Sequence, residues 1–256
     1  MTFLFQEHVF GPIVSRRLGS SLGINLLSTE QKVCNFDCVY CECGLTDKPK
    51  NSSKFASAKD VLITLEDKLI ELKKEHQKLD VITFAGNGEP TLHPKFLSII
   101  QGVVTLRNKY FPSVKIAVLT NGTTLNKKSV LNALQKIDKA IIKLDAGSDT
   151  LLQKIDRPLS PFKMEDFIKK IAALKGKVII QSMFLKDASA QKKFTNTSKE
   201  DVEKWLEQIK KINPVEVQIY SIDRDVPTEG LEKVNKKTLL NISKKVSALK
   251  IPVTVV

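Results

Sequence analysis

The sequence has few features of an exported or membrane-embedded protein, and its cysteines occupy one short stretch. None of its apolar runs reaches the roughly 18 residues that a membrane-spanning helix needs. The N-terminus, MTFLFQEHVFGPIVSRR, lacks the basic start and the long apolar centre of a signal peptide. We therefore expect a cytoplasmic protein with no membrane association, whose cysteines stay reduced and form no disulfide framework.

Arginine is also scarce. The chain has 41 basic and 28 acidic residues, for a formal net charge of +13, but only five of the basic residues are arginine. The lysines are spread over polar helix faces, as in ELKKEHQKLD, which is as typical of a solvated surface as of one that binds nucleic acid. Four arginines lie in loop-like segments, where a guanidinium group is well suited to bind a carboxylate or phosphate. They are Arg16, Arg17, Arg157 and Arg224.

No linker, internal repeat or low-complexity segment divides the 256 residues, so we expect a single domain over residues 1–256. Short apolar strands alternate with amphipathic helices along the chain. The predicted strands are 23–27, 81–85, 114–120, 140–146, 178–185, 215–222 and 253–256. The predicted helices are 58–79, with Ser57 as its N-cap, 94–109, 125–137, 164–175, 198–212 and 236–249. The polar loops 46–59 and 186–200 are expected to be the most mobile.

This order of elements predicts an α/β fold with a parallel sheet that is buried on both faces and closed, or nearly closed, by right-handed crossovers. In such folds functional residues gather at the carboxyl ends of the strands. GNGEP (86–90) follows the second predicted strand, and TNGT (120–123) follows the third. Asp145 and Tyr220 stand at the ends of two later strands, and Gln181 lies within the fifth. These residues are therefore predicted to share one edge of the sheet.

All four cysteines lie within VCNFDCVYCECG (33–44). A structural zinc site usually takes two separated pairs of ligands, and no second pair exists, so the spacing disfavours zinc without excluding it. Three closely spaced thiolates, from Cys34, Cys38 and Cys41, suit an iron–sulfur cluster with one iron open to a small molecule. Cys43 is either a thiol packed beside such a cluster or a small buried residue with no further role.

The spacing Cys34-x3-Cys38-x2-Cys41, with Tyr40 just before the last cysteine, resembles the cluster motif of the radical S-adenosylmethionine (SAM) superfamily. GNGEP resembles the superfamily's Gly-Gly-Glu motif, with Asn87 in place of one glycine. The element order over residues 23–225 is similar to its partial (β/α)6 TIM-like barrel, followed here by a helix–strand extension at 226–256. The run SRRLGSSLGINLL, together with the cysteine stretch, is similar to a subgroup of small bacterial and archaeal iron–sulfur oxidoreductases that neighbours the wyosine tRNA synthases.

The resemblance implies that the three cysteines hold a 4Fe–4S cluster and that SAM binds its fourth iron. Reductive cleavage of SAM would give a 5′-deoxyadenosyl radical, which abstracts hydrogen from a substrate. An external one-electron reductant of the flavodoxin or ferredoxin type is implied as a partner. The residues expected to meet SAM are Tyr40, through its backbone, and Gly86, Gly88, Glu89, Asn121, Asp145 and Gln181. No catalytic residue is assigned by the motifs.

Several of these roles have structural alternatives. Glu89 is expected to bind the ammonium group of SAM, but it would also serve as a cap for the following helix. TNGT is also a common turn sequence. Asp145 and Lys143 lie on one strand face and are able to pair with each other. Candidates for substrate binding are Arg16, Arg17, Arg157, Tyr220 and Arg224, although surface ion pairs would explain some of them equally well.

The substrate itself is not defined by these motifs. The excess of basic residues and the resemblance to the subgroup near the wyosine tRNA synthases favour tRNA or another anionic substrate. However, the chain lacks the additional cysteines with which wyosine synthases hold a second cluster. A glycyl-radical-enzyme activase is an alternative, because its cluster motif has the same spacing. A second alternative is a non-enzymatic RNA-binding module with a structural metal, which leaves GNGEP unexplained.

Overall fold

The computed structural model describes residues 3–46, 55–174, 176–189 and 194–256. From β2 onwards its main helices and strands follow one another in the predicted order, with a few short additional elements. The strands are β1 (Val9–Ser15), β2 (Gly19–Ile24), β3 (Val81–Phe84), β4 (Lys115–Thr120), β5 (Lys139–Lys143), β6 (Val178–Asp187), β7 (Phe194–Thr195), β8 (Glu216–Ser221), β9 (Leu231–Lys233) and β10 (Val253–Val255). The helices are α1 (Ala58–Lys74), α2 (Phe96–Tyr110), α3 (Lys128–Leu134), α4 (Asp149–Ile155), α5 (Met164–Ala172), α6 (Lys199–Ile212) and α7 (Lys236–Ser247).

The sheet follows the order β1-β2-β3-β4-β5-β6-β8-β10. Neighbouring strands from β2 to β10 are parallel, whereas β1 is antiparallel to β2. The short strands β7 and β9 pair with the far end of β6. Within the described residues β1 and β10 do not pair, so the sheet curls into a half-barrel that is open on one side.

The helices form where capping residues and apolar stripes coincide. Ser57 caps α1 by accepting a hydrogen bond from the Asp60 backbone N–H, and Ser198 caps α6 in the same way. α6 ends at Asn213, which adopts the left-handed conformation that asparagine tolerates well. The apolar stripe of α1 packs on the convex face of the sheet, and its buried residues are Val61, Leu65, Leu69 and Leu72. The described helices therefore cover one face of the sheet.

The opposite, concave face has a small apolar cluster of its own. Val81, Ala117, Ile141 and Ile179 come from four neighbouring strands, and Leu18 and Leu119 pack against them. None of these six residues belongs to a helix. The cluster therefore marks the inside of the half-barrel, below the carboxyl ends of the strands.

Every predicted strand and helix is present, with its ends moved by a few residues. The first predicted strand, 23–27, corresponds to β2, which begins earlier at Gly19. Strand β1 was not predicted, because Gly11 and Pro12 argue against a strand. Proline is tolerated there because β1 is an edge strand with a bulge between Phe10 and Ile13.

Helix α4 was also missed, since its seven residues are too few for a clear periodic pattern. The strands β7 and β9, of two and three residues, were not predicted either. The loop predicted at 46–59 lies partly outside the described residues, as does the loop at 186–200, of which Lys186 and Asp187 belong to β6. No described helix has the length and apolar character needed to cross a membrane. The division between a core and an extension after residue 225 stays a prediction.

Candidate active site

A cavity of about 250 Å³ lies at the carboxyl ends of the strands, between the cysteine loop (residues 33–44) and the GNGEP loop (86–90). It brings together most of the predicted site. The predicted residues that line it are Cys34, Cys38, Tyr40, Cys41, Gly86, Gly88, Glu89, Asn121 and Gln181. Cys43 and Lys143 line it too. Asp145 does not, and neither do the five predicted substrate residues.

The cysteine loop is held by backbone hydrogen bonds to other segments. Val33 N–H donates to the Asn87 carbonyl (2.8 Å), and Glu89 N–H donates to the Val33 carbonyl (3.0 Å). On the other side, Val39 N–H donates to the Ile155 carbonyl at the end of α4 (2.9 Å). The protein itself thus sets the path of this loop, and the thiols face the cavity.

The environments of the four thiols differ. Burial raises the pKa of Cys34 to about 11, with a further contribution from Glu89, and burial raises the pKa of Cys38 well above its usual value. A hydrogen bond with the Cys43 thiol lowers the pKa of Cys41 to about 6, and the same contact raises the pKa of Cys43. Cys43 Sγ also lies 3.6 Å from the Gly86 carbonyl. No three His, Cys, Asp or Glu side chains of the described residues converge on a site for a single metal ion.

Glu89 is buried and strongly hydrogen-bonded. Its Oε1 accepts from Thr91 N–H (3.1 Å), the Thr91 hydroxyl (2.5 Å) and the Thr120 hydroxyl (2.7 Å), while Oε2 accepts from Asn121 N–H (2.6 Å). Burial raises the pKa of Glu89 against these four hydrogen bonds. Glu89 caps the short 3-10 turn Pro90–Leu92 and also lines the cavity. The capping role that was an alternative is therefore present, and it leaves the carboxylate at the cavity wall.

The two glycines of the GNGEP loop are required by the packing of the protein itself. Gly88 has φ of +138°, and a Cβ there would lie 1.9 Å from the Val33 carbonyl oxygen. A Cβ on Gly86 would lie 2.4 Å from Asn25 Oδ1. Their expected contact with SAM stays a prediction. They allow the GNGEP loop to pack against the cysteine loop and β2.

Asn87, which stands where the motif has glycine, anchors the N-terminal segment. Its side-chain oxygen accepts from Phe5 N–H (2.9 Å), and its amide donates to the carbonyls of Phe5 (2.9 Å) and Ser28 (2.8 Å). Phe3 N–H donates to the Glu42 carbonyl in the cysteine loop (2.8 Å). The segment before β1 thus lies against both loops of the site. The sequence shows that asparagine replaces glycine here, but it does not show that Asn87 binds Phe5, which is 82 residues away.

Asn121 connects the end of β4 to the cysteine loop. Its side-chain amide donates to Asn35 Oδ1 (2.8 Å) and lies 3.8 Å from Cys34 Sγ, while its oxygen accepts from Thr123 N–H (3.1 Å). TNGT is therefore both a turn and part of the cavity wall.

Lys143 is the centre of a buried charged cluster. It forms ion pairs with Asp145 (3.0 Å) and Asp156 (3.5 Å), and it contacts the hydroxyl of Tyr40, which also donates to Asp145. Asp145 Oδ1 accepts from Met183 N–H (2.8 Å). Pairing with Lys143, the structural alternative for Asp145, is thus observed, and Asp145 supports Tyr40 and Lys143 from behind the cavity wall.

Asp156 was not predicted, because it follows the missed helix α4. Burial, together with the nearby Asp145, raises the pKa of Asp156 to about 8. Burial lowers the pKa of Lys143. Asp145, Cys38 and Asp156 raise this pKa by more than burial lowers it, so the ammonium form is strongly favoured.

The predicted substrate residues separate into two groups. Arg157 pairs with Asp37 (3.2 Å), Arg224 with Glu42 (2.7 Å) and Arg16 with Asp223 (2.9 Å). The first two pairs brace the cysteine loop from outside. Arg17 instead lies over the ring of Tyr220, with 4.4 Å between its Cζ and the ring centroid. These two residues meet on the concave face of the barrel.

Comparison with known proteins assigns most of this chain to a known family. The model of the Radical SAM superfamily matches residues 31–193. A Synechocystis UPF0026 protein is 31% identical over 271 residues, which cover 96% of this chain and 94% of the relative. A Brachyspira hyodysenteriae protein named GTPase Obg is 31% identical over 91% of this chain but only 32% of its own length. This chain spans 32–66% of the length of the Brachyspira protein and of two UPF0026 proteins from Helicobacter pylori and Methanocaldococcus jannaschii.

Solved structures show the same fold at low sequence identity. A radical SAM methyltransferase from Sphaerobacter thermophilus superposes with a TM-score of 0.68 at 15% identity, over 92% of this chain and 65% of that one. Streptococcus suis SuiB bound to SAM superposes with a TM-score of 0.61 at 16% identity, over 88% of this chain and 48% of that one. Archaeal TYW1 superposes with a TM-score of 0.52 at 14% identity, over 89% of this chain and 71% of that one. The cysteine loop, the half-barrel and the family match together show that the chain belongs to the radical SAM superfamily, whose cofactors are a 4Fe–4S cluster and SAM, and within it to the UPF0026 family.

Proposed function

We propose that this protein is an enzyme that holds a 4Fe–4S cluster through Cys34, Cys38 and Cys41, cleaves SAM reductively and removes hydrogen from an anionic substrate, with tRNA among the candidates. The observation that carries the proposal is that the three thiols share one cavity with the carboxylate of Glu89. Membership in the superfamily implies catalysis, which disfavours a non-enzymatic RNA-binding module. When bound, the cluster supplies one electron to SAM, whose cleavage provides the hydrogen-abstracting radical.

The donor set fits the cluster and SAM. Three thiols line one cavity wall, and Cys34 and Cys38, whose pKa values are raised, must lose their protons to become ligands, so loading of the protein releases protons. Lys143 lies close enough to Cys38 to oppose the effect of burial on that thiol. Its charge favours the thiolate form that a ligand requires.

Glu89 is suited to receive the ammonium group of SAM. Each carboxylate oxygen has about two acceptor sites, and Oε2 accepts only one hydrogen bond within the described residues. The other three bonds, all to Oε1, fix the plane of the carboxylate. Glu89 therefore offers a preformed acceptor that needs no rearrangement when a cation binds.

The remaining residues orient the site and exclude water. Phe36, Leu119 and Ile141 give the cavity an apolar wall. Gly86, Gly88, Asn121 and Gln181 stay proposed contacts for SAM, together with the backbone at Tyr40. Asp145 is proposed to act by positioning Tyr40 and Lys143. A cytoplasmic location and an external flavodoxin- or ferredoxin-type reductant belong to the same proposal, since superfamily members generally need such a reductant.

The test is an anaerobic reconstitution with iron and sulfide, followed by dithionite and SAM, with 5′-deoxyadenosine measured by chromatography. The parent protein should form 5′-deoxyadenosine, whereas Cys38→Ala should fall to the level without protein. Cys43→Ala is the matched variant in the same loop, and it should keep the iron and sulfide content of the parent. A preparation that binds zinc but neither iron–sulfur cluster nor SAM would overturn the proposal.

A further inference from the structure

We propose that the concave face of the half-barrel binds the substrate through a single carboxylate or phosphate group, which Arg17 receives while stacked on Tyr220. The inference rests on the proposed function and goes beyond it by naming the substrate class. That class is a compact molecule with one anionic group that enters the barrel beside the cofactor cavity.

Arg17 is placed by the turn between β1 and β2. Ser15 Oγ accepts from the N–H groups of Arg17 (3.4 Å) and Leu18 (3.2 Å), which fixes the turn locally. At the end of the turn, Ser20 N–H donates to Asp80 Oδ2 (2.8 Å). Leu18 packs into the apolar cluster on the concave face. The turn therefore reaches into the barrel and carries Arg17 with it.

Arg17 differs from the other arginines in its pairing. The remaining four each form an ion pair within the described residues: Arg16 with Asp223, Arg107 with Asp138, Arg157 with Asp37 and Arg224 with Glu42. Arg17 has no ion pair with a described carboxylate, and its Nη1 is buried without a hydrogen-bond partner. A buried cationic donor without an acceptor is costly, so an anion that reached it would gain the full strength of a charge-assisted hydrogen bond.

Polar side chains extend from Arg17 towards the cofactor cavity. Lys143, Gln181 and Gln218 are partners in register on β5, β6 and β8, so they share one face of the sheet. Gln181 donates to Gln218 (3.0 Å), and Tyr220 lies two residues beyond Gln218 on the same face. Burial raises the pKa of Tyr220, while Lys143 and Arg17 both lower it. Lys143 and Gln181 also line the cavity between the cysteine and GNGEP loops, where SAM is proposed to bind. A ligand bound to Arg17 would thus lie next to this cavity.

The geometry favours a compact substrate over a polyanion. Because Nη1 is buried, the anionic group must enter the barrel to reach it. A nucleic-acid backbone presents a row of phosphates and is bound by several exposed cations. Arg17 is one guanidinium on one aromatic platform, which matches a single planar carboxylate or one phosphate group.

The scarcity of arginine makes a direct measurement practical. Reconstituted protein containing 15N-labelled arginine has five Nε–Hε signals, and Arg17→Gln identifies the one that belongs to Arg17. Inorganic phosphate and acetate are the two probes, titrated separately at constant ionic strength. The Arg17 signal should shift saturably with at least one probe, and the probe that binds more tightly shows which anion the site prefers.

Two variants define what that shift means. Tyr220→Leu keeps the guanidinium but removes its aromatic platform, and it should weaken probe binding about 10-fold. Tyr220→Phe keeps the ring and should bind within about 3-fold of the parent. Lys169→Gln removes one positive charge from the exposed face of α5 and should leave the titration unchanged.

Three results would overturn the inference: an Arg17 signal that neither probe moves, a non-saturating shift of all five signals, or a response to tRNA alone. Iron content and SAM binding are measured on the same preparation. Their absence in the parent would count against the proposed function. Their presence beside an unresponsive Arg17 would count against this inference alone.

Discussion

The two sides of the site differ in how their polar groups are satisfied. On the cofactor side, the side chains of Glu89, Asn87 and Asn121 have hydrogen-bond partners inside the protein. On the concave side, Arg17 Nη1 is buried without a hydrogen-bond partner among the described residues. The cofactor side therefore keeps its shape through its own contacts, whereas the concave side is arranged to be completed by something that enters it.

This difference separates stability from binding. A change on the cofactor side breaks contacts between protein groups, so it should lower the free energy of unfolding as well as cofactor loading. A change at Arg17 removes a group with few internal partners, so it should affect binding and leave stability almost unchanged. Asp156 and Arg157 are exceptions on the cofactor side. Among the described residues, neither Asp156 carboxyl oxygen makes a hydrogen bond, its ion pair with Lys143 is long at 3.5 Å, and Arg157 Nη2 is also buried without a hydrogen-bond partner.

The largest loss of stability is expected for Gly88→Ala. The added Cβ would lie 1.9 Å from the Val33 carbonyl oxygen, in the bridge that joins the two loops of the site. The backbone there has φ of +138°, which alanine rarely adopts. We expect a loss of more than about 4 kcal/mol in the free energy of unfolding, measured by urea denaturation.

Gly176→Ala is the control for backbone strain alone. Gly176 also has a positive φ, of +72°, but apart from its chain neighbours no atom of the described residues lies within 4 Å of the position of a Cβ. Its cost should be about 1 kcal/mol, from the left-handed conformation. Equal losses in the two variants would show that the contact between the loops does not constrain the site.

Sequence reasoning found the cofactor side because its signals are contiguous. The three cysteines proposed to hold the cluster lie within eight residues, and GNGEP directly follows a strand whose apolar pattern is clear. The half-barrel was predictable for a similar reason, since buried parallel strands form apolar runs between amphipathic helices. The match to the superfamily confirms the family, the fold and the cofactors.

The concave side could not be assembled from the sequence in the same way. Arg17 and Tyr220 were both candidates, but their contact depends on a hairpin whose first strand was missed. Arg157 and Arg224 looked equally suitable, yet each pairs with a carboxylate of the cysteine loop. No pattern in the sequence around a polar strand residue indicates its partner on this face. Only the folded sheet shows which of these residues are in contact.

The charged cluster around Lys143 should give the next largest effect. Lys143→Gln leaves Asp145 and Asp156 buried close together without a cation, and we expect a loss of about 3–5 kcal/mol at pH 7. Adding Asp156→Asn should recover more than about 1 kcal/mol of this, because asparagine is neutral at every pH, whereas Asp156 must take up a proton at pH 7 to stay buried beside Asp145. Urea unfolding of the two single variants and the double variant completes the cycle.

The cycle also has a pH dependence of known sign. The pKa of Asp156 is raised to about 8, so the folded protein binds a proton that the unfolded chain releases above its ordinary pKa. This contribution to stability is present at low pH and is lost as the pH rises towards 8. Lys143→Gln should therefore lose stability between pH 5 and pH 8, whereas the double variant should be flatter. Identical pH profiles would argue against coupling between these residues.

The smallest effect on stability is expected for Arg17→Met, although the same residue is proposed to hold the substrate. Methionine keeps apolar contact with the Tyr220 ring and removes the buried donor that has no partner. The lost stacking and the relieved desolvation should nearly cancel, for a net change within about 1 kcal/mol of the parent. Urea unfolding measures this change, and the anion titration measures binding on the same protein. A loss of more than about 2 kcal/mol would make Arg17 a structural residue, and the contrast between the two sides of the site would then fail.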